Sequence, residues 1–180
     1  MANGILRVLA CVFGAVLLAI TASAGAADIF LKLEGIPGDS INEAHKDEIE
    51  VISFSLGFSN DVRLGSARSP GECGDLTLTK TIDRSSPRLL AAVMTGRHIS
   101  KGVLSFTASV GEQPADYYVL NLSEILVTGL RQADSNGGTR VSEQVTVSAR
   151  GYEFVFRTQQ ANGTFIEQKF NWDCVRNFGG

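Results

Sequence analysis

Leu78-Thr79-Lys80-Thr81-Ile82-Asp83-Arg84-Ser85-Ser86-Pro87 reads as a strand that runs directly into the start of a helix. Leu76 and Leu78 alternate with Thr77 and Thr79, the period of two that turns one face of a strand inward. Ser85 or Ser86 can serve as N-cap. Pro87 then falls at the first helical position, where its missing N–H would be unpaired anyway. Leu89-Leu90-Ala91-Ala92-Val93-Met94 supplies a short apolar run, and Gly96 a natural C-terminal stop. The predicted helix spans about 86–96.

Outward from this passage the period of two dominates. Ile29, Leu31 and Leu33 alternate with Phe30, Lys32 and Glu34, a half-buried strand that ends in the turn cluster Gly35-Ile36-Pro37-Gly38-Asp39-Ser40. Ile49-Glu50-Val51-Ile52-Ser53-Phe54-Ser55-Leu56-Gly57-Phe58 is one long β-rich run. Residues 59–74 are polar and turn-rich, with Gly65, Pro70, Gly71 and Gly74, and read as a long loop. Further strands are predicted over 103–110 and 117–130, then a break at Asp134-Ser135-Asn136-Gly137-Gly138. Three more follow over 141–149, 152–158 and 165–174. Ala161-Asn162-Gly163-Thr164 reads as a hairpin turn, because Asn-Gly supplies the positive φ values of a type I′ turn. About eight strands and one short helix indicate a mainly β sandwich or barrel.

The N-terminus has a different character. Arg7 precedes an apolar run from Val8 to Ile20, followed by Thr21-Ala22-Ser23-Ala24-Gly25-Ala26-Ala27. That order is the one found in secretory signal peptides, with cleavage fitting after Ala24 or, preferably, after Ala26. The run is short for a spanning helix, and an uncleaved anchor is the competing reading. Cys11 lies too early for lipidation and is read as a leader residue. The expected organisation is a signal peptide at 1–26 and one domain at 27–180, placed in the periplasm or secreted. Cys73 and Cys174 then remain. Two cysteines in an exported chain invite a disulfide, and two unrelated buried thiols are the other reading.

Composition excludes several classes. The 180 residues are 44% hydrophobic and 19% charged, an ordinary globular balance. Net charge is -3, and the basic residues are scattered among acids, which argues against a nucleic-acid partner. No stable membrane span is expected once the leader is removed. His45 lies in the charged stretch Asn42-Glu43-Ala44-His45-Lys46-Asp47-Glu48 and is expected at the surface. His98 follows the helix end, where an imidazolium would meet a favourable dipole. Neither histidine has partners at metal-ligand spacing, so no metal is expected. Asp47, Glu48 and Glu50 do not converge as a catalytic acid pair, since strand neighbours point to opposite faces. No nucleophile elbow, phosphate loop or dinucleotide fingerprint occurs, and no cofactor is expected. Trp172 and Tyr117-Tyr118 could stack on a carbohydrate, although strand aromatics are more often core.

These segments, in this order, resemble the Hcp family, the ring-forming tube proteins of bacterial type VI secretion. The resemblance is carried by Asp28-Ile29-Phe30-Leu31-Lys32-Leu33, by His45-Lys46-Asp47-Glu48-Ile49 running into Val51-Ile52-Ser53-Phe54-Ser55-Leu56-Gly57, and by the 76–90 strand-to-helix passage with Gly96-Arg97-His98. It continues through Tyr118-Val119-Leu120-Asn121-Leu122-Ser123-Glu124-Ile125-Leu126-Val127, Ser142-Glu143-Gln144-Val145-Thr146-Val147 and Asn171-Trp172-Asp173. It implies an Hcp-like β-barrel of two sheets with one flanking helix. It implies a hexameric ring, closed by a heterologous interface, that stacks into a hollow tube. It implies small effector cargo, contacts with secretion-machinery proteins and no catalysis. In the family the long loop after the second main strand helps rings stack. Here that loop is Ser59, Asn60, Asp61, Val62, Arg63, Leu64, Gly65, Ser66, Ala67, Arg68, Ser69, Pro70, Gly71 and Glu72, with Gly74 beyond Cys73.

Two other readings compete. One is an exported monomeric binding module that kept the fold and lost the ring. The other is an envelope glycan hydrolase, which would need converging carboxylates in a cleft.

Overall fold

The computed structural model describes residues 28–64, 69–110, 113–134, 141–160 and 162–180. The expected leader, the Gly65–Arg68 part of the expected loop, Ser135 to Gly138 of the expected break, and Ala161 lie outside the described residues.

The chain is mainly β. In order it forms β1 (Asp28–Leu33), β2 (Ile49–Val51), β3 (Ser53–Ser55), β4 (Phe58–Asn60), β5 (Gly71–Cys73) and β6 (Leu76–Thr81). The helix α1 (Ser86–Thr95) follows, then β7 (His98–Val110), β8 (Gln113–Ala133), β9 (Ser142–Gln159), β10 (Phe165–Asp173) and β11 (Phe178–Gly179). Nine of these strands form one sheet, and β4 and β5 form a separate two-stranded sheet.

The larger sheet wraps on itself. The 49–55 stretch divides its partners: β2 pairs with β1, and β3 pairs with β6. Between them the Ile52 N–H donates to the Thr79 carbonyl at 2.7 Å, which ties the two halves together. β6 pairs with the first part of β9, β9 with β8, β8 with β7 and β7 with β1. The circuit therefore returns to its start and encloses the core, which includes Leu31, Ile49, Leu76, Leu104, Leu120, Ile125 and Val147. Closure removes the exposed edges that an open sheet would present along this circuit.

Several sequence expectations change in detail. The 49–58 run is broken into β2, β3 and the start of β4, because its residues change partner twice. Residues 141–149 and 152–158, expected as two strands, are one strand, β9. Gly151 does not break it; Gly151 pairs with Ser123 on one side and Asp173 on the other, where an added Cβ would lie 2.4 Å from the Ser123 Oγ. The 161–164 turn is not a two-residue connection. Gln159 pairs with Phe165, and within the loop Asn162 Oδ1 accepts from the Thr164 N–H at 3.0 Å while Gly163 takes φ +82°.

The helix sits as the sequence predicts. Ser85 occupies the N-cap position, Pro87 lies in the first turn, and Gly96 closes the end in the left-handed region with φ +61°. The N-cap serine makes no side-chain bond to the helix; its hydroxyl donates to Asp83 Oδ1 instead. Leu89 and Ala92 face the barrel and are fully buried. Arg84, at the helix entrance, donates to the Gly38 carbonyl and pairs with Asp39 and Asp47, which fastens the 37–48 loop to the same corner. Among the described residues no helix is long and apolar enough to cross a membrane.

Candidate assembly surface

The residues expected as a loop over 59–74 contain a β-hairpin. Its rungs are Phe58 with Cys73, Ser59 with Glu72 and Asn60 with Gly71. Polar residues favour this turn-rich connection, and they also bond within it. Asn60 Nδ2 donates to the Ser69 carbonyl at 3.1 Å, and Asn60 Oδ1 accepts from the Val62 N–H at 3.0 Å. At the base the Gly74 N–H donates to the Gly57 carbonyl at 2.8 Å. Leu64, near the turn, is fully exposed.

The hairpin leans on the extension of the barrel made by β9 and β10. Cys73 is disulfide-bonded to Cys174, with Cα atoms 6.0 Å apart. The Gly71 N–H donates to Asn177 Oδ1 at 3.1 Å. The Phe58 ring stands edge-on to Tyr152 and Phe154, with centroids 5.3 and 5.5 Å away. Across β9 and β10, Phe154 lies opposite Phe170 and Tyr152 opposite Trp172, so these rings share one face. Phe58, Phe154, Phe170, Trp172 and Gly71 enclose an apolar cleft of about 450 Å³.

That face is only partly covered. It continues the barrel interior: Phe106 pairs with Tyr118, Tyr118 with Phe156, and Leu120 with Phe154. The rings of Phe156, beyond the cleft, and of Phe170, at its wall, stand exposed. Phe165 and Ile166, adjacent in sequence, place an exposed apolar side chain on each face of β10. β10 pairs along its length with β9, and on its other edge pairs only at Trp172 and Asp173 with β11 among the described residues. An edge strand this long, with Phe165, Ile166 and Phe170 exposed on it, is a template for another chain.

The opposite face of the same strands is mixed, carrying Glu153, Arg157, Glu167 and Lys169 beside the exposed Phe165. A trough of about 660 Å³ crosses β7 to β10 over Gly151, Ser123, Asn121 and Lys101, with Asp173 and Arg176 at one end. The Arg176 N–H, the Arg150 side chain and the Val175 N–H hold the Asp173 carboxyl below its usual range, in that order of importance.

His45 is the clearest departure from expectation. It is buried rather than exposed, with only 6% of its surface accessible. Its ring stacks on Phe30 at 4.4 Å. Nδ1 lies 2.9 Å from Glu48 Oε2, and Nε2 lies 3.1 Å from Asp116 Oδ1 and from Thr107 Oγ1. Charged sequence neighbours suggested a surface position, but two of His45's polar partners and its stacking ring come from other strands. Asp47 and Glu48 do not converge: Asp47 pairs with Arg84, and Glu48 with His45 and Lys32. His98 is half-exposed and pairs with Glu124 at 3.1 Å. Tyr118 and Trp172 belong to the aromatic face described above, and burial pushes the Tyr118 hydroxyl upward in pKa. Among the described residues no cluster of three metal-ligating side chains occurs.

The sequence reads residues 59–74 as a loop, where the structure has a hairpin, and that reading missed the exposed face of β9 and β10. The available signal was Phe165-Ile166, a pair that breaks strict alternation and cannot hide both side chains in one core.

Comparisons with known proteins identify the family and the fold. The family model described as "Type VI secretion system effector, Hcp" matches residues 30–156. Protein hcp1 of Pseudomonas aeruginosa is 30% identical over 158 residues, covering 84% of this chain and 98% of that protein. The crystal structure of Hcp1 from Salmonella typhimurium superposes with a TM-score of 0.72 at 26% identity, covering 87% of this chain and all of that one. A structure described as that of a type six secretion system protein reaches a TM-score of 0.79 at 21% identity, over 86% of this chain and all of that one, a likeness of fold.

Proposed function

The chain belongs to the Hcp family of type VI secretion proteins, and we propose that it is a non-catalytic tube subunit that closes into a hexameric ring through the exposed face and edge of β9 and β10. The observation that carries the assembly surface is a set of uncovered apolar side chains: Phe156 on β9 and Phe165, Ile166 and Phe170 on β10 stand exposed beside an edge that, among the described residues, β11 covers only at its end. A monomer that left this face in water would carry an aggregation hazard, and a neighbouring subunit removes it. A ring needs one surface of each subunit to meet a different surface of the next, which a protruding edge on one side supports.

In this reading the 59–74 hairpin and its turn meet the neighbouring ring, and the ring lumen holds small effector cargo. The polar partners in the secretion machinery meet the assembled tube. The leader at 1–26 directs export, and residues 27–180 are the mature domain. N-terminal sequencing of the exported chain is expected to begin at Ala27; a chain that still carries Met1 overturns the cleavage.

The deciding experiment is the mass of the purified mature chain by light scattering after gel filtration, without reductant. A mass near six subunits is expected. Phe170→Asp, which places a charge on the exposed face, is expected to leave a folded monomer. A wild-type monomer at every concentration overturns the reading.

A further inference from the structure

The β4–β5 hairpin has few means of holding its place. Among the described residues it pairs with no strand of the main sheet. All three residues of β4 are exposed, so burial fixes it weakly. Two-stranded hairpins of this size are marginal on their own in water. Its contacts with the barrel include the edge contact of Phe58, the Gly71 bond to Asn177, the Tyr152 hydroxyl donating to the Gly74 carbonyl at 3.4 Å, and the bridge from Cys73 to Cys174.

The bridge falls at a decisive rung. Cys73 is the strand partner of Phe58, so fixing Cys73 fixes the ring that stands over Tyr152 and Phe154. Its other end is held by hydrogen bonds. The Cys174 N–H donates to the Arg150 carbonyl at 2.8 Å, and the preceding Asp173 is held by the Arg150 guanidinium. The disulfide thus joins the two walls of the aromatic cleft, Phe58 on the hairpin and Phe170 with Trp172 on β10.

We propose that the Cys73–Cys174 bridge is a redox switch on assembly: it docks the hairpin and completes the aromatic face through which copies meet, and its reduction frees the hairpin and leaves the subunit unassembled. The inference rests on the assembly reading above. The chemistry is thiol–disulfide exchange. One thiolate of the chain attacks a disulfide-bonded oxidant and releases one oxidant thiol, leaving a mixed disulfide. The second thiolate attacks that mixed disulfide, closes the bridge and releases the other oxidant thiol, so two electrons and two protons end on the oxidant. In a thiol-rich compartment both cysteines stay reduced. The subunit then remains single until it meets a disulfide oxidant, and premature polymerisation before export is avoided.

The test compares the full mature chain untreated, reduced with dithiothreitol, and reoxidised with oxidised glutathione. Light scattering gives the assembled mass, and trypsin cleavage after Arg63 reports release of the hairpin. Expected is a ring before treatment, a monomer after reduction with cleavage faster by about tenfold, and recovery of the ring on reoxidation. The Cys73→Ser, Cys174→Ser double variant is expected to match the reduced chain without any reductant. A ring of equal mass in the reduced chain or the double variant overturns the switch and leaves the tube reading standing. A monomer under every condition overturns both. Loss of assembly only where the β-sheet circular dichroism is also lost overturns the switch in favour of general unfolding.

Discussion

Lys80 Nζ lies 2.9 Å from Glu143 Oε2, inside the barrel, with 1% of Lys80 and none of Glu143 exposed. The pair joins β6 to β9 at a rung where the two residues are direct strand partners. Every remaining polar atom of the pair is occupied. Asp83, the Thr81 carbonyl and Ser86 also lie within hydrogen-bond distance of Lys80 Nζ, whose three protons are shared among these and Glu143, and Glu143 accepts from Ser86 and Gln132. One buried network therefore fixes the strand, the helix entrance and β8 together, which explains why the 78–87 passage decides the fold. Its charges are compensated only as a set.

Removing one partner leaves a bare charge in the core. Lys80→Met is expected to destabilise the domain by about 3–5 kcal/mol, read from urea unfolding. Lys80→Met with Glu143→Leu is expected to recover part of that loss, since the fully buried carboxylate is gone and the remaining charge, Asp83, keeps its Ser85 donors. A double variant as unstable as Lys80→Met alone would sink the account.

The same pair sets an acid limit. Burial opposes ionisation of Glu143, but bonds from Gln132, Lys80 and Ser86 and the Lys80 charge outweigh it, so its carboxyl sits below the ordinary glutamate value of 4.5. A depressed native pKa means that the stabilisation is present above the unfolded value and disappears as pH falls through the native one. The urea midpoint is therefore expected to hold near neutral pH and to drop below about pH 4.5. Glu143→Gln is expected to flatten that drop; equal slopes for both proteins would refute the assignment.

His45 is a buried pin on the 37–48 loop. The loop backbone closes through Gly38 to Asp47, Ser40 to Glu48 and Asp47 to Ser40 bonds, and His45 ties it to Phe30, Thr107 and Asp116. His45→Ala leaves Glu48, Asp116 and Thr107 without that partner and is expected to cost about 1–3 kcal/mol. Hydrogen exchange should quicken at the Ser40 and Asp47 amides and stay unchanged in the β8–β9 ladder. Uniform acceleration through the barrel would contradict a local pin.

Cys73 and Cys174 are separated by 101 positions in sequence. Restricting a loop of that length in the unfolded chain is worth about 4–5 kcal/mol in the chain-entropy model. Global stability of the Cys73→Ser, Cys174→Ser variant is expected to fall by up to that amount in guanidinium unfolding. An unchanged midpoint would show that the unfolded chain is already compact at this contact.

The sequence by itself determined where the helix lies and most of the extended segments, though it read the β4–β5 hairpin as a loop. Alternation at Leu76 and Leu78, Pro87 in the first turn and Gly96 at the end act through backbone sterics over a few residues, so no distant partner can overrule them easily. The likeness to the Hcp family was also legible there, since it rests on the order of such segments. Only the tertiary structure decided what each strand pairs with and which faces stay open. Residues 49–55 divide between β1 and β6, and β9 runs through Gly151 because Ser123 and Asp173 flank it. His45 reads as a surface residue beside Lys46 and Asp47, yet Asp116, 71 positions away, and Phe30 bury it. Likewise Phe170 has the composition of a core residue, and its exposure follows from β9 and β10 extending past the closed barrel. Local preference is a short-range property of the chain, whereas burial and exposure are sums over contacts between residues far apart in sequence.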